Sequence, residues 1–175
     1  MLTKEKINAL FKALNHKLQE KGEMGEIGIV GGAAMCLVYN VRSSTKDVDA
    51  IFEPASTIRK LAAQVAEEQG VDEDWLNDAV KGFLVKDFNR IFILNLSHLK
   101  IWTPDSRYLL AMKCMSARWD THDQDDVKFL IGLLELTKKE QVFELIEAYY
   151  PKSQIPAKTQ FFIEELLQGK RKKKR

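Results

Sequence analysis

Residues 3–20 place Ile7, Leu10, Phe11, Leu14 and Leu18 at i, i+3, i+4, i+7 and i+11, which predicts a helix with one apolar stripe, closed by Lys21-Gly22. Ile27, Gly28, Ile29 and Val30 form a short apolar run that stops at two glycines, the pattern of a buried strand. Residues 33–40 suit a short helix packed close behind it. After the polar connection Val41 to Lys46, the run Asp47-Val48-Asp49-Ala50-Ile51-Phe52 alternates, which predicts a strand with Val48, Ala50 and Phe52 on the core face. Pro54 closes that strand. Ile58, Leu61, Ala62, Val65 and Ala66 then predict a helix ending at Gly70.

The run from Asp72 to Val80 reads as a short helix with Trp75 and Leu76 inward. Phe83 to Phe88, Ile91 to Leu94 and Leu99 to Trp102 read as strands, with Asn89-Arg90 and Ser97-His98 in the turns. Beyond residue 103 only helical patterns occur. Thr103 is the expected N-cap, with Pro104 in the first helical position. Val127, Leu130, Ile131 and Leu134 mark a second helix of this half, Val142 to Tyr149 a third, and Phe161 to Leu167 the last. The expected fold is therefore α+β: a small mixed sheet flanked by helices over residues 1–103, a C-terminal helical bundle over 104–168, and a basic tail over 169–175.

Composition adds little to this picture and charge adds one feature. Of the 175 residues, 45% are hydrophobic and 30% charged, the balance of an ordinary globular chain. The apolar runs fall far short of the roughly 20 residues a membrane span needs. The first residues lack the apolar stretch of a signal peptide. Cys36 and Cys114 are too few and too distant for a disulfide scaffold or zinc site, so a reduced, cytoplasmic protein is expected. Six cations sit in Lys170 to Arg175. Without them 21 cations face 25 acids, so the body carries −4 and only the tail attracts polyanions.

The candidate chemistry lies between residues 26 and 52. A strand followed at once by Gly31-Gly32 and a helix leaves backbone N–H groups that a phosphate can approach without meeting a Cβ. On the next strand, Asp47 and Asp49 face the same way with Cα atoms roughly 6–7 Å apart. Two such carboxylates repel each other, and a divalent cation removes the conflict, because Mg²⁺ shares one or two carboxylates with phosphates. Lys113 sits inside the apolar segment Tyr108 to Ala117, in line with Leu109 and Ala117, where a lysine is rare unless paired or in use. Asp123 and Asp126 fit a helix cap and its partner three residues on.

Gly31-Gly32, a gap of fourteen residues, and Asp47-Val48-Asp49 together resemble the signature of the nucleotidyltransferase superfamily of the polymerase-beta type. Leu110 to Arg118, followed by Asp123-Gln124-Asp125-Asp126-Val127, resembles the lysine and double-aspartate blocks of the AbiEii-like group, which includes the toxins of abortive-infection toxin–antitoxin systems. The resemblance implies that Gly31, Gly32, Lys113 and Arg118 handle the nucleotide, and that Asp47 and Asp49 hold Mg²⁺ or Mn²⁺. It also implies that Asp126, or in its place Asp123, orients the lysine or acts as base. The implied reaction moves a nucleotide from an NTP onto RNA, such as a tRNA end, or onto a protein hydroxyl, with an antitoxin protein as a further partner. Many relatives carry a third carboxylate on a later strand, and the strands expected after residue 90 offer none. The alternative is therefore a catalytically eroded binding or adaptor protein of the same fold.

Overall fold

The computed structural model describes residues 1–80, 87–116 and 122–172. Its residues divide into two compact units, Met1–Leu84 with Asn89–Pro104, and Val85–Phe88 with Asp105–Arg175. The expected strand residues Phe83 and Val85 lie outside the described residues, and so do Lys173 to Arg175.

In the first unit, β1 (Leu2–Thr3) runs directly into α1 (Lys4–Lys21). Thr3 caps α1 by accepting from the Lys6 amide, and Gly22 ends it at φ 65°, a left-handed position suited to glycine. All five stripe residues of α1 are fully buried. The strands β2 (Gly25–Ile29), β4 (Val48–Glu53), β5 (Leu76–Asn77), β6 (Arg90–Asn95) and β7 (Leu99–Pro104) form one sheet in the order β5-β4-β2-β7-β6. It is mixed: β2 is antiparallel to β4 and parallel to β7. A second, two-stranded sheet pairs β1 with β3 (Ser44–Thr45), a pairing that polar residues between two elements did not announce.

Alternation explains which sheet face is covered. Ile27, Ile29, Val48, Ala50, Phe52, Leu99 and Ile101 join the stripes of α1 and α3 (Ala55–Gln69) in one core. The other face carries Glu26, Gly28, Asp49, Ile51, Glu53, Lys100 and Trp102. Gly28 is opposite both Ile51 and Trp102. The Trp102 indole lies across Gly28, where a Cβ would come within 2.3 Å of the ring. That ring is pinned: its Nε1 donates to Glu26 Oε1 at 2.7 Å, and the Arg90 guanidinium sits 4.4 Å from its centroid while bonding the same carboxylate. Gly28→Ala is therefore expected to lower stability by about 1–3 kcal/mol, the usual cost of overpacking, read as a lower urea midpoint with the slope kept.

Three expectations need correcting here. Residues 72–80 do not form one helix: a 3₁₀ turn over Glu73–Trp75 leads into β5, because Leu76 and Asn77 pair in parallel with Val48 and Asp49. Trp75 and Leu76 are nonetheless buried, and the Trp75 indole donates to the Ala62 carbonyl. Phe88 is not in a strand, and Arg90, placed in a turn by the sequence, opens β6. Thr103 is not an N-cap, since it and Pro104 complete β7 opposite Ile91 and Arg90. The cap is Asp105, whose carboxylate accepts from the Tyr108 amide at 2.9 Å.

The second unit is helical, with α4 (Ser106–Ser116), α5 (Asp123–Leu133), α6 (Lys139–Glu147) and α7 (Ala157–Lys172). Its core takes Leu109, Leu110, Val127, Leu130, Ile131, Val142, Leu145, Ile146 and Ile163. Tyr108 is stacked by Phe88 at 4.4 Å and met edge-on by Tyr149 at 5.0 Å. Thr159 donates to the Cys114 carbonyl at 2.7 Å, and burial pushes the Cys114 thiol up to about 12. Lys170 to Lys172 continue the backbone of α7 instead of starting a separate tail. Among the described residues no helix is long and apolar enough to cross a membrane.

Candidate functional site

The bend between β2 and α2 (Gly31–Leu37) is tighter than the sequence suggests. Val30 is extended, and the glycines form the first turn of the helix, not a turn ahead of it. Gly31 adopts φ +61°, where an L side chain is strained by roughly 1–2 kcal/mol. A Cβ there would also stand 2.9 Å from Asp49 Oδ2. Two independent reasons therefore call for glycine at 31. The carboxylate of Asp49 rests against the bend because the β2–β4 ladder continues one step past the strand, with the Val30 amide donating to the Asp49 carbonyl at 2.9 Å.

The helix ends at Leu37, short of the expected residue 40. Asn40 turns the chain at φ 53°, its side chain accepting from Lys4 Nζ, and the Val41 amide donates to the Met35 carbonyl. The connection then folds back along α2. A Cβ on Gly32 would lie 2.7 Å from Thr45 Oγ1 and 3.1 Å from Arg42 Nη1. One turn further along α2, burial first pushes the Cys36 thiol up, and Arg42 is among the cations that oppose the shift. Arg42 and Thr45 are the residues that sequence reasoning missed at this bend. Neither sits in a motif or an apolar period, so no local signal marked them.

Val48, Ala50 and Phe52 are buried while Asp47, Asp49 and Ile51 are half-buried, the alternation the sequence predicts. Asp47 precedes β4 by one residue. Among the described residues no three His, Cys, Asp or Glu side chains converge as a metal-holding group. A donor set of two carboxylates fits a hard cation that fills its remaining positions with phosphate and water oxygens, the habit of Mg²⁺. It does not fit a closed all-protein cage. No acid occurs on β6 or β7, and the positions of β7 on the Asp49 face are Lys100, Trp102 and Pro104.

The other predicted residues belong to the second unit. Lys113 is 7% exposed, and its Nζ meets Asp126 Oδ2 at 2.6 Å and Asp123 Oδ1 at 2.8 Å. Asp126 is 1% exposed and Asp123 partly so. This lysine does not snorkel to water: it is held by two carboxylates. Asp123 and Asp126 are not a cap and its partner either. His122 occupies the N-cap position without a side-chain cap bond, and both acids lie in the first turn of α5, where the helix dipole favours negative charge. Arg118 lies outside the described residues.

The family model described as "Nucleotidyltransferase of unknown function (DUF6036)" matches residues 5–161, a span that holds the glycine bend, both aspartates of β4 and its approach, and the Lys113 cluster. Comparison with the curated proteins and with the solved structures gave no match. The chain belongs to this family of nucleotidyltransferases.

Proposed function

We propose that this protein is a metal-dependent nucleotidyltransferase that moves a nucleotide from an NTP to a macromolecular acceptor. The observation that carries the reading is the Asp49 carboxylate seated against the left-handed Gly31 bend, in a chain of this family. Gly31 and Gly32 hold the triphosphate, and Asp47 and Asp49 hold Mg²⁺ or Mn²⁺. A cation bound there neutralises charge on the phosphates and polarises the phosphoryl group. We propose Lys113 and Arg118 as further nucleotide-handling residues and Asp126, with Asp123 as its substitute, as the group that orients Lys113 or takes the acceptor proton.

RNA, such as a tRNA end, is the preferred acceptor, with a protein hydroxyl as the second. This preference rests on the likeness of the lysine and double-aspartate blocks to AbiEii-like proteins. The same likeness extends the proposal to a toxin held in check by an antitoxin protein. The second reading is an eroded adaptor of the same fold, and the absence of an acid on β6 and β7 favours it.

Incubation with each labelled NTP and total RNA, with and without EDTA, separates the two. The enzyme reading expects label in RNA or protein that EDTA abolishes. The adaptor reading expects none, and calorimetry with NTP and Mg²⁺ then shows whether the bend binds nucleotide at all.

A further inference from the structure

The glycine pair has three polar groups packed over it, and they do not share one role. Asp49 Oδ2 stands over Gly31, while Arg42 Nη1 and Thr45 Oγ1 stand over Gly32. The Asp49 carboxylate has the chemistry to ligate a hard cation. A guanidinium cannot ligate a cation, but its planar fork matches two phosphate oxygens at once. A negative side chain over Gly31 and a positive one over Gly32 suit a ligand that presents both charges, and a cation carrying a polyphosphate is such a ligand. The backbone explains how the Arg42 guanidinium and the Thr45 hydroxyl are held there. Thr45 is fixed by β3 against Leu2, and the chain from Val38 to Arg42 is folded back along α2 by the Val41–Met35 bond.

We propose that Arg42, supported by the Thr45 hydroxyl, grips the polyphosphate of the nucleotide, and that residue 32 is glycine so that these two side chains can reach the bend. The proposal rests on the nucleotidyltransferase reading above and adds to it a substrate-binding residue. Without a Cβ at residue 32, Arg42 and Thr45 stand beside the backbone that the phosphate approaches.

The test uses Mg²⁺-tripolyphosphate as the probe, titrated into the full chain by calorimetry, beside Mn²⁺ alone. Arg42→Ala is expected to weaken tripolyphosphate binding by on the order of tenfold to a hundredfold, and Arg42→Lys to recover part of it by keeping the charge without the fork. Thr45→Val costs about threefold, as for one neutral hydrogen bond. Mn²⁺ alone is expected to bind Arg42→Ala at least as tightly as the parent chain, because a neighbouring positive charge is gone, and to be lost in Asp49→Ala. A merely structural Arg42 would weaken both ligands together. In transfer assays Arg42→Ala raises the KM for NTP and leaves kcat within about threefold, as for a lost uniform-binding contact.

Circular dichroism checks the fold, and Arg42→Gln replaces the alanine variant if that one does not fold. Tripolyphosphate affinity within twofold of the parent in Arg42→Ala, with Asp49→Ala inert, overturns the role of Arg42 and leaves the enzyme reading standing. A parent chain that takes up neither NTP nor tripolyphosphate overturns both.

Discussion

Asp49→Ala is expected to reduce nucleotide transfer by about a thousandfold or more, since the charge stabilisation a bound cation gives a phosphoryl group is worth several kcal/mol and each 1.36 kcal/mol is tenfold in rate. The fold should survive. Asp49 is half-buried, and the bond it contributes to the ladder comes from its backbone carbonyl, which alanine keeps. Asp47→Ala should behave in the same way, because Asp47 lies just ahead of β4 and also keeps its backbone. The measurement is labelled-nucleotide transfer at saturating Mg²⁺, with a circular dichroism melt beside it. Transfer undiminished in a folded Asp49→Ala protein would remove the metal from this bend.

Asp126→Ala is expected to lower stability strongly. Breaking a buried ion pair from one side costs roughly 3–5 kcal/mol, because the other charge stays buried without its partner. Asp123 remains near Lys113 and is partly exposed, so the loss should fall toward the lower end. Lys113→Ala is worse placed than the sequence implied, since it leaves two carboxylates facing each other in a low-dielectric setting. Replacing the pair together, as Lys113→Met with Asp126→Leu, should recover much of the stability while transfer stays lost. Urea midpoints of the two single variants and the double variant form the required cycle. Single variants as stable as the parent would show that the pair is solvated in solution.

Hydrophobic periodicity made much of the fold legible. The stripes of α1 and α3 are buried as written, and the alternation at residues 47–52 sorts core from open face without error. What failed were segments where pairing partners decide. Leu76 and Asn77 lack any strand signature, and they are a strand because Val48 and Asp49 offer an edge. Thr103-Pro104 looked like a helix start because Pro suits a first turn, yet Pro also suits the end of a strand, and Asp105 made the better cap. At the bend, sequence spacing singled out Gly31 and Asp49, which the structure places against each other. It did not single out Arg42, whose place at the bend depends on a loop folding back along a helix, and it read Asp123 and Asp126 as a cap and its partner because their spacing satisfies that rule equally well.

The placement of β2 has a consequence for how the protein assembles. Its partner β4 is the next strand of the sheet along the chain, whereas its partner β7 comes from the far end of the first unit. Loop-closure entropy makes the nearer pairing the easier one to form. The bend that seats Asp49 thus needs only sequence-local contacts, and the indole clamp over Gly28 arrives with the remote strand. Hydrogen exchange during refolding should protect Val30, which donates to Asp49, before the β2 amides that face β7.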